Sequence, residues 1–338
     1  MFTDARVAVL TNKDDSHADA LIECFAELGR SIFRINTEDL ATRYTTTLTL
    51  SADGGWSGFL TDELGRRLDF RSLRAVWLRK PNFDFALAGH FAPAIAEFVR
   101  SEFRSLLDTI YSLPGVRWVN DPTTANRAKS KYQQLILATS LGLDVPSTII
   151  TNAPGEVEAF FHRHNAQVLV KAVYNSNVTL DGMARAIPSA RVDPHRFDEF
   201  NASIALCPAH LQNYIDKKFE LRVTVVRDSV MAARIDSQAH EQTKVDWRIA
   251  TELNHFSKFS LPPHIEDKCR QFIQLQGLQF GAMDFIVTPD DRYVFLENNP
   301  FGQYLWLESE TGLPITREIA RLLIELSEDT SDLAPFFQ

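Results

Sequence analysis

Residues 280–308 constrain the fold of this chain more than any other stretch of its sequence. Two runs rich in β-forming residues, 282–287 and 293–297, flank residues 288–292, whose Thr, Pro and two Asp are typical of a turn. The pattern predicts an antiparallel β-hairpin. Because its runs are mostly apolar, the polar side chains within it need an explanation.

Three oxygen-bearing side chains lie along this hairpin. A turn centred on residues 290–291 places Asp284 directly opposite Glu297, with Cβ atoms about 5 Å apart, and Asn299 shares their face. Facing acids destabilise a half-buried ladder unless a cation lies between them, and hard oxygen ligands suit Mg²⁺ or Mn²⁺. The hairpin therefore predicts a metal site. The alternatives are solvated acids on a surface hairpin and a one-residue change of register, which would separate the two acids.

The chain has 338 residues, more than a single hydrophobic core usually holds, so two or three domains are expected. Its 45% hydrophobic and 23% charged residues are typical of a soluble globular protein. No apolar run approaches the roughly 20 residues of a membrane span, and the N-terminus lacks the apolar segment of a signal peptide. We expect a cytoplasmic protein with no membrane partner.

Cysteine spacing and net charge exclude two further classes of partner. Cys24, Cys207 and Cys269 are far apart and lack metal-ligand spacing, so buried reduced thiols are favoured over a disulfide or a zinc site. The formal net charge of −9 argues against general nucleic-acid binding. The same balance permits local basic pockets for a nucleotide or an acidic peptide.

The N-terminal part has the pattern of an α/β domain. Strands at 6–10 and 31–35 flank a helix at 16–28, which is a βαβ opening. The first turn contains no glycine, so a scaffold domain is favoured over a dinucleotide-binding one. A meander over 45–70 and a helix over 90–113 follow.

Arg79 and Lys80 come directly after a buried strand at 75–78. Open α/β sheets bind their ligands at the carboxyl ends of strands, so these cations are candidate ligand groups. Solvated charges at a strand end are the alternative.

Two lysines have apolar neighbours on the elements that carry them. A helix predicted over 124–141 places Lys131 on its inward stripe, and a strand over 167–173 carries Lys171. Burying an unpaired ammonium costs several kcal/mol, so each lysine needs an anion. The alternatives are a Lys131 side chain that reaches water and an internal salt bridge for Lys171.

Residues 219–238 predict a second hairpin. A three-residue loop would pair Arg222 with Arg234, and the same register would pair Glu220 with Asp236. Facing arginines repel each other unless an anion or the neighbouring acids intervene. The hairpin is therefore predicted to have one charged face and one apolar face that packs on the core.

A family resemblance connects these elements. Segments in chain order resemble the ATP-grasp fold from about residue 119 to 326, and the opening 7–40 and the segment AVWLRKP resemble the microviridin-type graspetide synthetases, which macrocyclise ribosomally made precursor peptides. The segments that carry the ATP-grasp resemblance are NDPTTANRAKSKYQQLILATSLGLDVP, VLVKAV, LQNYIDKKFELRVTVV, RIDSQ, VDWR, MDF and FLENNPFGQYLWLE.

The resemblance implies an α/β (α+β) protein with the ATP-grasp fold in three domains. These are a pre-ATP-grasp domain at 1–118, a central lid domain at 119–210 and a C-terminal domain with the metal site at 211–326. The C-terminal domain closes with a helix over 313–326, and residues 327–338 are expected to form a flexible acidic tail.

The resemblance also implies roles for individual residues. Lys131 and Lys171 match lysines that hold the nucleotide phosphates, and Asp284, Glu297 and Asn299 match the magnesium ligands, with two ions expected and Mn²⁺ as an alternative. The hinge segment whose backbone reads adenine is matched by four residues, Gln212, Asn213, Tyr214 and Ile215. Glu220 is the last residue expected to bind the nucleotide.

Three arginines are expected to stabilise the phosphate under transfer and the substrate carboxylate: Arg222 in the E-L-R motif, Arg248 in the D-W-R motif, and Arg234. Candidate contacts with the substrate or its leader are Arg79, Lys80, Asp198, Glu199 and Gln303. The loop at 174–181 is rich in Asn and Ser, unlike the glycine-rich lid loop of many ATP-grasp enzymes.

The implied activity is ATP-dependent activation of Asp or Glu side chains as acyl phosphates, followed by attack of a Ser or Thr hydroxyl or a Lys amine to close a macrocycle. The implied partner is a ribosomal precursor peptide with a leader and a core, and a homodimer is possible. A RimK-like or glutathione-synthetase-like ligase of amino acids is the alternative enzyme. A nucleotide-sensing or peptide-binding module is the alternative from another class.

Overall fold

The computed structural model describes residues 5–85, 87, 91–173, 177–180 and 183–329. Its N-terminal elements follow the predicted pattern of βαβ opening, meander and long helix. They are β1 (Val7–Thr11), α1 (Ser16–Glu27), β2 (Phe33–Asn36), β3 (Tyr44–Leu50), β4 (Trp56–Asp62), β5 (Arg67–Asp69), β6 (Ala75–Leu78), α2 (Pro93–Tyr111) and β7 (Arg117–Val119).

The first sheet is parallel, in the order β2-β1-β6-β7, and β3, β4 and β5 form a separate antiparallel meander. Helix α1 begins at Asp15, whose carboxylate accepts the backbone N–H of His17, and it ends before Gly29, whose φ of +65° favours glycine. Asp15 and His17 are thereby placed at the carboxyl end of β1, beside the end of β6.

The predicted helix over 124–141 is two helices, α3 (Pro122–Ala128) and α4 (Lys131–Ser140). Ser130 between them has an extended ψ of 101°. The buried amide of Gln134 donates to Ala128 O at 2.6 Å and to Asn298 O at 2.8 Å, so a side chain takes a carbonyl that a continuous helix would use. Lys131 is therefore the first residue of α4.

The central elements form an antiparallel sheet in the order β12-β9-β13-β8 and a β10–β11 hairpin. The predicted lid loop lies partly outside the described residues. The elements are β8 (Thr148–Thr151), α5 (Pro154–Arg163), β9 (Val168–Lys171), β10 (Asn177–Leu180), β11 (Met183–Ala186), β12 (Ala190–Arg191), α6 (Phe197–Ile204) and β13 (Ala209–Asn213).

The C-terminal sheet has the order β16-β15-β14-β17-β18, and helix α4 packs against its edge strand β18. The elements are β14 (Phe219–Val226), β15 (Ser229–Ile235), β16 (Phe256–Phe259), α7 (Pro263–Leu275), β17 (Phe280–Val287), β18 (Tyr293–Asn299), α8 (Leu305–Thr311) and α9 (Ile315–Glu328). Helix α9 extends two residues beyond the predicted 326, and the rest of the predicted tail, 330–338, lies outside the described residues.

Helix α9 returns to the N-terminal sheet. It packs against α1 and β6, and its buried residues Ile319, Leu322 and Leu323 share one apolar cluster with Val7 and Trp77. The first and last elements of the chain therefore have a common core.

The register of the second hairpin differs from the prediction. Strands β14 and β15 are joined by two residues rather than three, with Arg227 at φ +51°, so Arg222 pairs with Ala233. Arg234 pairs with Leu221 and so lies on the opposite face from Arg222. The predicted pairings of Arg222 with Arg234 and of Glu220 with Asp236 are wrong by one residue.

The cysteine expectation holds in part. The three thiols are free, and Cys24 and Cys269 are buried, but Cys207 is exposed in the turn after α6. Among the helices of the described residues, none is long and apolar enough to cross a membrane.

Candidate functional site

Asp284 on β17 and Glu297 on β18 face each other across the ladder, as predicted. Each has a cation of its own, since Arg222 Nη1 donates to Asp284 Oδ1 at 2.8 Å and Lys131 Nζ lies 3.3 Å from Glu297 Oε2. The buried Arg222 Nε has no hydrogen-bond partner among the described residues. Because this Nε is enclosed by protein atoms, an anion would approach the Nη1 and Nη2 end of the guanidinium, which Asp284 shares.

Asp284, Glu297 and Asn299 offer two carboxylates and an amide oxygen at one edge of the hairpin. Asn299 Oδ1 accepts the backbone N–H of Phe301 at 2.9 Å, which orients the amide. In the ranges that the structure describes, no three His, Cys, Asp or Glu side chains cluster as a metal cage. Mg²⁺ usually takes one or two protein carboxylates and completes its shell with waters and substrate phosphates. This donor set fits Mg²⁺ held together with a phosphate.

Lys131 and Lys171 line a cavity of about 430 Å³ together with Glu297. Burial lowers the pKa of Lys171 to about 8; Glu297 opposes this shift and Lys131 adds to it. Burial raises the pKa of Glu297, but Lys131, Lys171 and Arg248 together hold it at about 2. The excess of cations over acids around this cavity suits a polyanion.

A narrower slot adjoins this cavity, and Lys171 and Glu297 line both spaces. The walls of the slot are apolar at Leu169, Ile215 and Ile286. Polar and charged side chains, among them Gln212 and Glu220, line the rest of the slot. Apolar walls combined with placed polar groups suit a heterocyclic ligand.

The predicted hinge residues lie at the end of β13. Gln212, Asn213 and Ile215 line the slot. Tyr214 has its ring 4.4 Å from the guanidinium carbon of Arg191, so its side chain is engaged by that contact. Three of the four predicted hinge residues therefore line the slot.

Glu220 and Lys217 also line the slot. Lys217 Nζ donates to Glu220 Oε1 and to Val245 O, each at 2.9 Å, and both charged side chains are nearly buried. Burial raises the pKa of Glu220 while Lys217 opposes the shift. Glu220 is placed as predicted, whereas Lys217 was missed.

Arg248 lines the slot and the larger cavities on both sides of the acids. Its Nε and Nη2 atoms donate to Asp246 Oδ1 and Oδ2 at 2.8 and 2.7 Å. This bond raises the pKa of Arg248, and the same contact lowers the pKa of Asp246 to about 2 although burial raises it. Asp246 thus fixes a permanent cation beside Glu297.

A cavity of about 570 Å³ opens on the other side of the acids. The predicted substrate residues Lys80 and Gln303 line it, beside Arg222. Trp306, packed 5.0 Å from the ring of Trp247, forms an aromatic wall. Cations and aromatic rings in an open cavity suit a peptide segment that carries carboxylates.

Two predicted site residues are placed elsewhere. Arg234 donates to Asp236 at 2.6 Å and stacks on Phe219, because the one-residue register shift turns it from the acids. Arg79 is only 1% exposed, since Asp15 and the 300–305 loop cover it, so it is not a substrate contact.

The predicted leader residues Asp198 and Glu199 lie on α6, and Arg196 Nη2 donates to Glu199 at 3.0 Å. Both acids are exposed. None of the cavities described above includes them. Their role in leader binding stays a prediction.

The sequence interpretation missed Gln134 and Asp246. Gln134 bonds both backbone groups of Asn298, between the two ligands on β18. The only sequence signal was position: Gln134 follows Lys131 by three residues on one helix, and Asp246 precedes Arg248 by two.

Residues 6–126 match the family model of the MvdD pre-ATP grasp domain. A solved RiPP-associated ATP-grasp ligase from Chryseobacterium gregarium, in complex with ADP and a leader and core peptide, is 27% identical; the match covers 95% of this chain and 97% of that one, with a TM-score of 0.88. Macrocyclase MdnC from Microcystis aeruginosa MRC, bound with precursor peptide MdnA, is 27% identical over 96% of this chain and 100% of its own, with a TM-score of 0.82.

Macrocyclase MdnB from the same organism is 27% identical over 94% of this chain and 98% of its own, with a TM-score of 0.76. No curated protein sequence matches the chain. The fold and the site define an ATP-grasp ligase with a pre-ATP-grasp domain. The similarity to these solved ligases supports the resemblance to the graspetide synthetases that the motifs indicate.

Proposed function

We propose that this protein is an ATP-dependent macrocyclase that joins Asp or Glu side chains of a ribosomal precursor peptide to Ser or Thr as ω-esters, or to Lys as ω-amides. One observation carries the proposal. The slot suited to a heterocycle and the open cavity suited to an acidic peptide share Arg248, Asp284 and Glu297. A γ-phosphate and a substrate carboxylate would therefore meet at one place.

The residues present fit ATP and Mg²⁺. The hinge would hold adenine, Lys131 and Lys171 the phosphates, and the acidic edge the metal, for which two ions are part of the proposal. Bound Mg²⁺ supplies charge neutralisation on the phosphate under transfer.

The residues of the chain itself then position the reactants. Arg222 and Arg248 both line the open cavity, and Asp246 fixes Arg248, so these two arginines would bind the substrate carboxylate and the phosphate. A carboxylate oxygen attacks the γ-phosphorus and ADP leaves; the hydroxyl or amine then attacks the acyl carbon and phosphate leaves. Holding both groups within reach is worth about 7–11 kcal/mol, so placement supplies most of the catalysis.

The substrate needs more than its reacting groups for recognition, because carboxylates and hydroxyls are common in peptides. We therefore include in the proposal a leader segment bound to the central domain near α6. The leader-bound relative from Chryseobacterium gregarium supports recognition of a leader, whereas its place near α6 stays a prediction. A homodimer stays a prediction, which the molar mass in solution would test.

The proposal is tested with the short peptide encoded beside this chain's gene, if its core is rich in Thr or Ser and in Asp or Glu. Incubation with ATP and Mg²⁺ should remove one water mass per ring and release one ADP per water lost. Free glutamate with a second amino acid serves as the comparison. ADP release with amino acids but not with the peptide would favour the RimK-like alternative.

A further inference from the structure

The loop at 300–305, which runs from the end of β18 into the first residue of α8, is held by side chains from distant parts of the chain. Asn120 Nδ2 donates to Pro300 O at 2.9 Å, and Arg79 Nη1 donates to Phe301 O at 2.5 Å. His17 Nε2 accepts the backbone N–H groups of Tyr304 and Leu305 at 3.1 and 3.3 Å. Two of these three side chains belong to the N-terminal domain.

The ring of His17 is fixed in one tautomer by these bonds. Because Nε2 accepts two N–H groups, the proton is on Nδ1, which lies 3.3 Å from Asp15 Oδ1. Burial lowers the pKa of His17, which agrees with a neutral ring, although the bond with Asp15 opposes the shift. Asp15 also lies 3.6 Å from Arg79 Nε and accepts from Thr11 at 2.7 Å.

Stability alone does not account for Arg79. Its guanidinium is 1% exposed, and its Nε and Nη2 atoms have no hydrogen-bond partner among the described residues. Burying a cation with unpaired donors costs stability, and apolar residues of similar size often serve a core better. What Arg79 adds is a bond to the loop carbonyl at Phe301.

The loop lies between two parts of the site. Asn299 precedes it as a proposed metal ligand, and Gln303 within it lines the substrate cavity. From the other side Arg222 Nη2 approaches Gln303 O at 3.4 Å, and a Cβ on Gly302 would lie 3.0 Å from the same nitrogen and 2.2 Å from Ala282 Cβ. The loop thus packs tightly on Arg222, and a small shift would move both.

We infer that Asp15, His17 and Arg79 are positioning residues, which set the 300–305 loop and through it the places of Asn299, Gln303 and Arg222 in the reaction. This inference rests on the proposed ligase activity. It gives the N-terminal domain, which contributes no side chain to the nucleotide slot in the described ranges, a role in the chemistry.

The test compares His17→Leu and Arg79→Met with Leu21→Ala. Leu21 is fully buried on the same helix as His17 and shares an apolar cluster with Tyr304, but it makes no hydrogen bond to the loop. It is therefore the matched control for lost packing. His17→Gln is the rescue variant, because its amide oxygen can accept the same N–H groups. Arg79→Lys keeps a donor if the methionine variant fails to fold.

Three quantities are measured for each protein: amide hydrogen exchange of a fragment covering residues 300–307, the Kd for ADP, and kcat with the precursor peptide. For His17→Leu and Arg79→Met we expect exchange in the fragment at least about tenfold faster and kcat lower by up to about 100-fold. The Kd for ADP should stay within about twofold. His17→Gln should recover most of kcat. Leu21→Ala, whose loss of stability is checked separately by its Tm, should show neither the faster exchange nor the lower kcat.

The inference is overturned if His17→Leu leaves exchange and kcat unchanged, or if its losses match those of Leu21→Ala in all three quantities. If the wild-type protein modifies no peptide, the proposed function fails instead. In that case the exchange rates still decide whether His17 and Arg79 hold the loop.

Discussion

Arg222 and Asp284 are paired on adjacent strands, and the arginine Nη1 donates to the carboxylate at 2.8 Å. This bond joins a proposed catalytic arginine to a proposed metal ligand. Arg222 is free for a substrate anion only when another cation neutralises Asp284. If both proposed roles hold, we expect metal binding and substrate binding to be coupled through this pair.

We expect Asp284→Asn and Glu297→Gln each to lower turnover by at least about 100-fold. Each substitution removes a negative charge that the metal needs for binding, and a bound metal stabilises the transition state by several kcal/mol. ADP release with the precursor measures the effect, and Tm should show that both variants fold. Asp290→Asn, in the exposed turn of the same hairpin, is the control. ADP release near the wild-type rate in both site variants would contradict the metal assignment.

Lys171→Ala should weaken ATP binding by about tenfold to 100-fold, since a hydrogen bond to a charged group is worth about 1.5–3 kcal/mol. Calorimetric titration with a non-hydrolysable ATP analogue gives the Kd. Lys218→Ala is the control, because Lys218 is exposed and pairs with Asp291. An unchanged Kd would make Lys171 a structural lysine.

Lys171 should also make nucleotide binding dependent on pH. Its pKa of about 8 in the free protein means that it loses its proton above that pH, whereas bound phosphate favours the charged form and raises the pKa. ATP binding should therefore take up a proton above about pH 8, and affinity should fall as pH rises. Titrations in two buffers of different ionisation enthalpy measure the uptake. If Lys171→Arg takes up as many protons as the wild-type protein, the proton uptake belongs to another group.

Arg222→Ala should lower kcat with the precursor by at least about tenfold with little change in nucleotide Kd. Arg234→Ala should stay close to wild type, because Arg234 lies on the other face of the sheet. Each variant removes one guanidinium from adjacent strands of the same sheet, so each serves as the control for the other. Similar losses in both would mean that the face occupied by Arg234 also takes part.

A precursor without its leader should bind weakly and lose fewer waters than the full precursor, because a docked leader raises the local concentration of the core. Lysine at both Asp198 and Glu199 should weaken leader binding. Binding is measured by titration and ring number by mass spectrometry. Full processing of a leaderless core would reject leader recognition, whereas leader dependence that the reversals leave intact would reject only α6 as its place.

The sequence predicted that Asp284 and Glu297 face each other, but it did not predict the strand register that brings them together. The prediction assumed that Val287 pairs with Val294, but it pairs with Tyr293, and Leu296 is an extra residue that restores the register at Glu297. A bulge leaves no clear mark in one sequence, so the prediction was right through two compensating differences.

The error at Arg234 has a local cause. A two-residue loop that requires positive φ usually contains glycine or asparagine, and here Arg227 adopts φ +51°. The sequence therefore favoured a longer loop. The error at Arg79 has a long-range cause, because its partner Phe301 is 222 residues away and no local pattern indicates that bond.

Helix α9 completes the apolar cluster of the N-terminal sheet, with Ile319, Leu322 and Leu323 against Val7 and Trp77. During synthesis the ribosome releases residues 6–126 long before it makes this helix. The nascent N-terminal sheet must therefore expose an apolar face until α9, Ile315–Glu328, has emerged. The core of the first domain is complete only when α9 has been made, so a truncated N-terminal domain should aggregate unless α9 is supplied as a separate peptide.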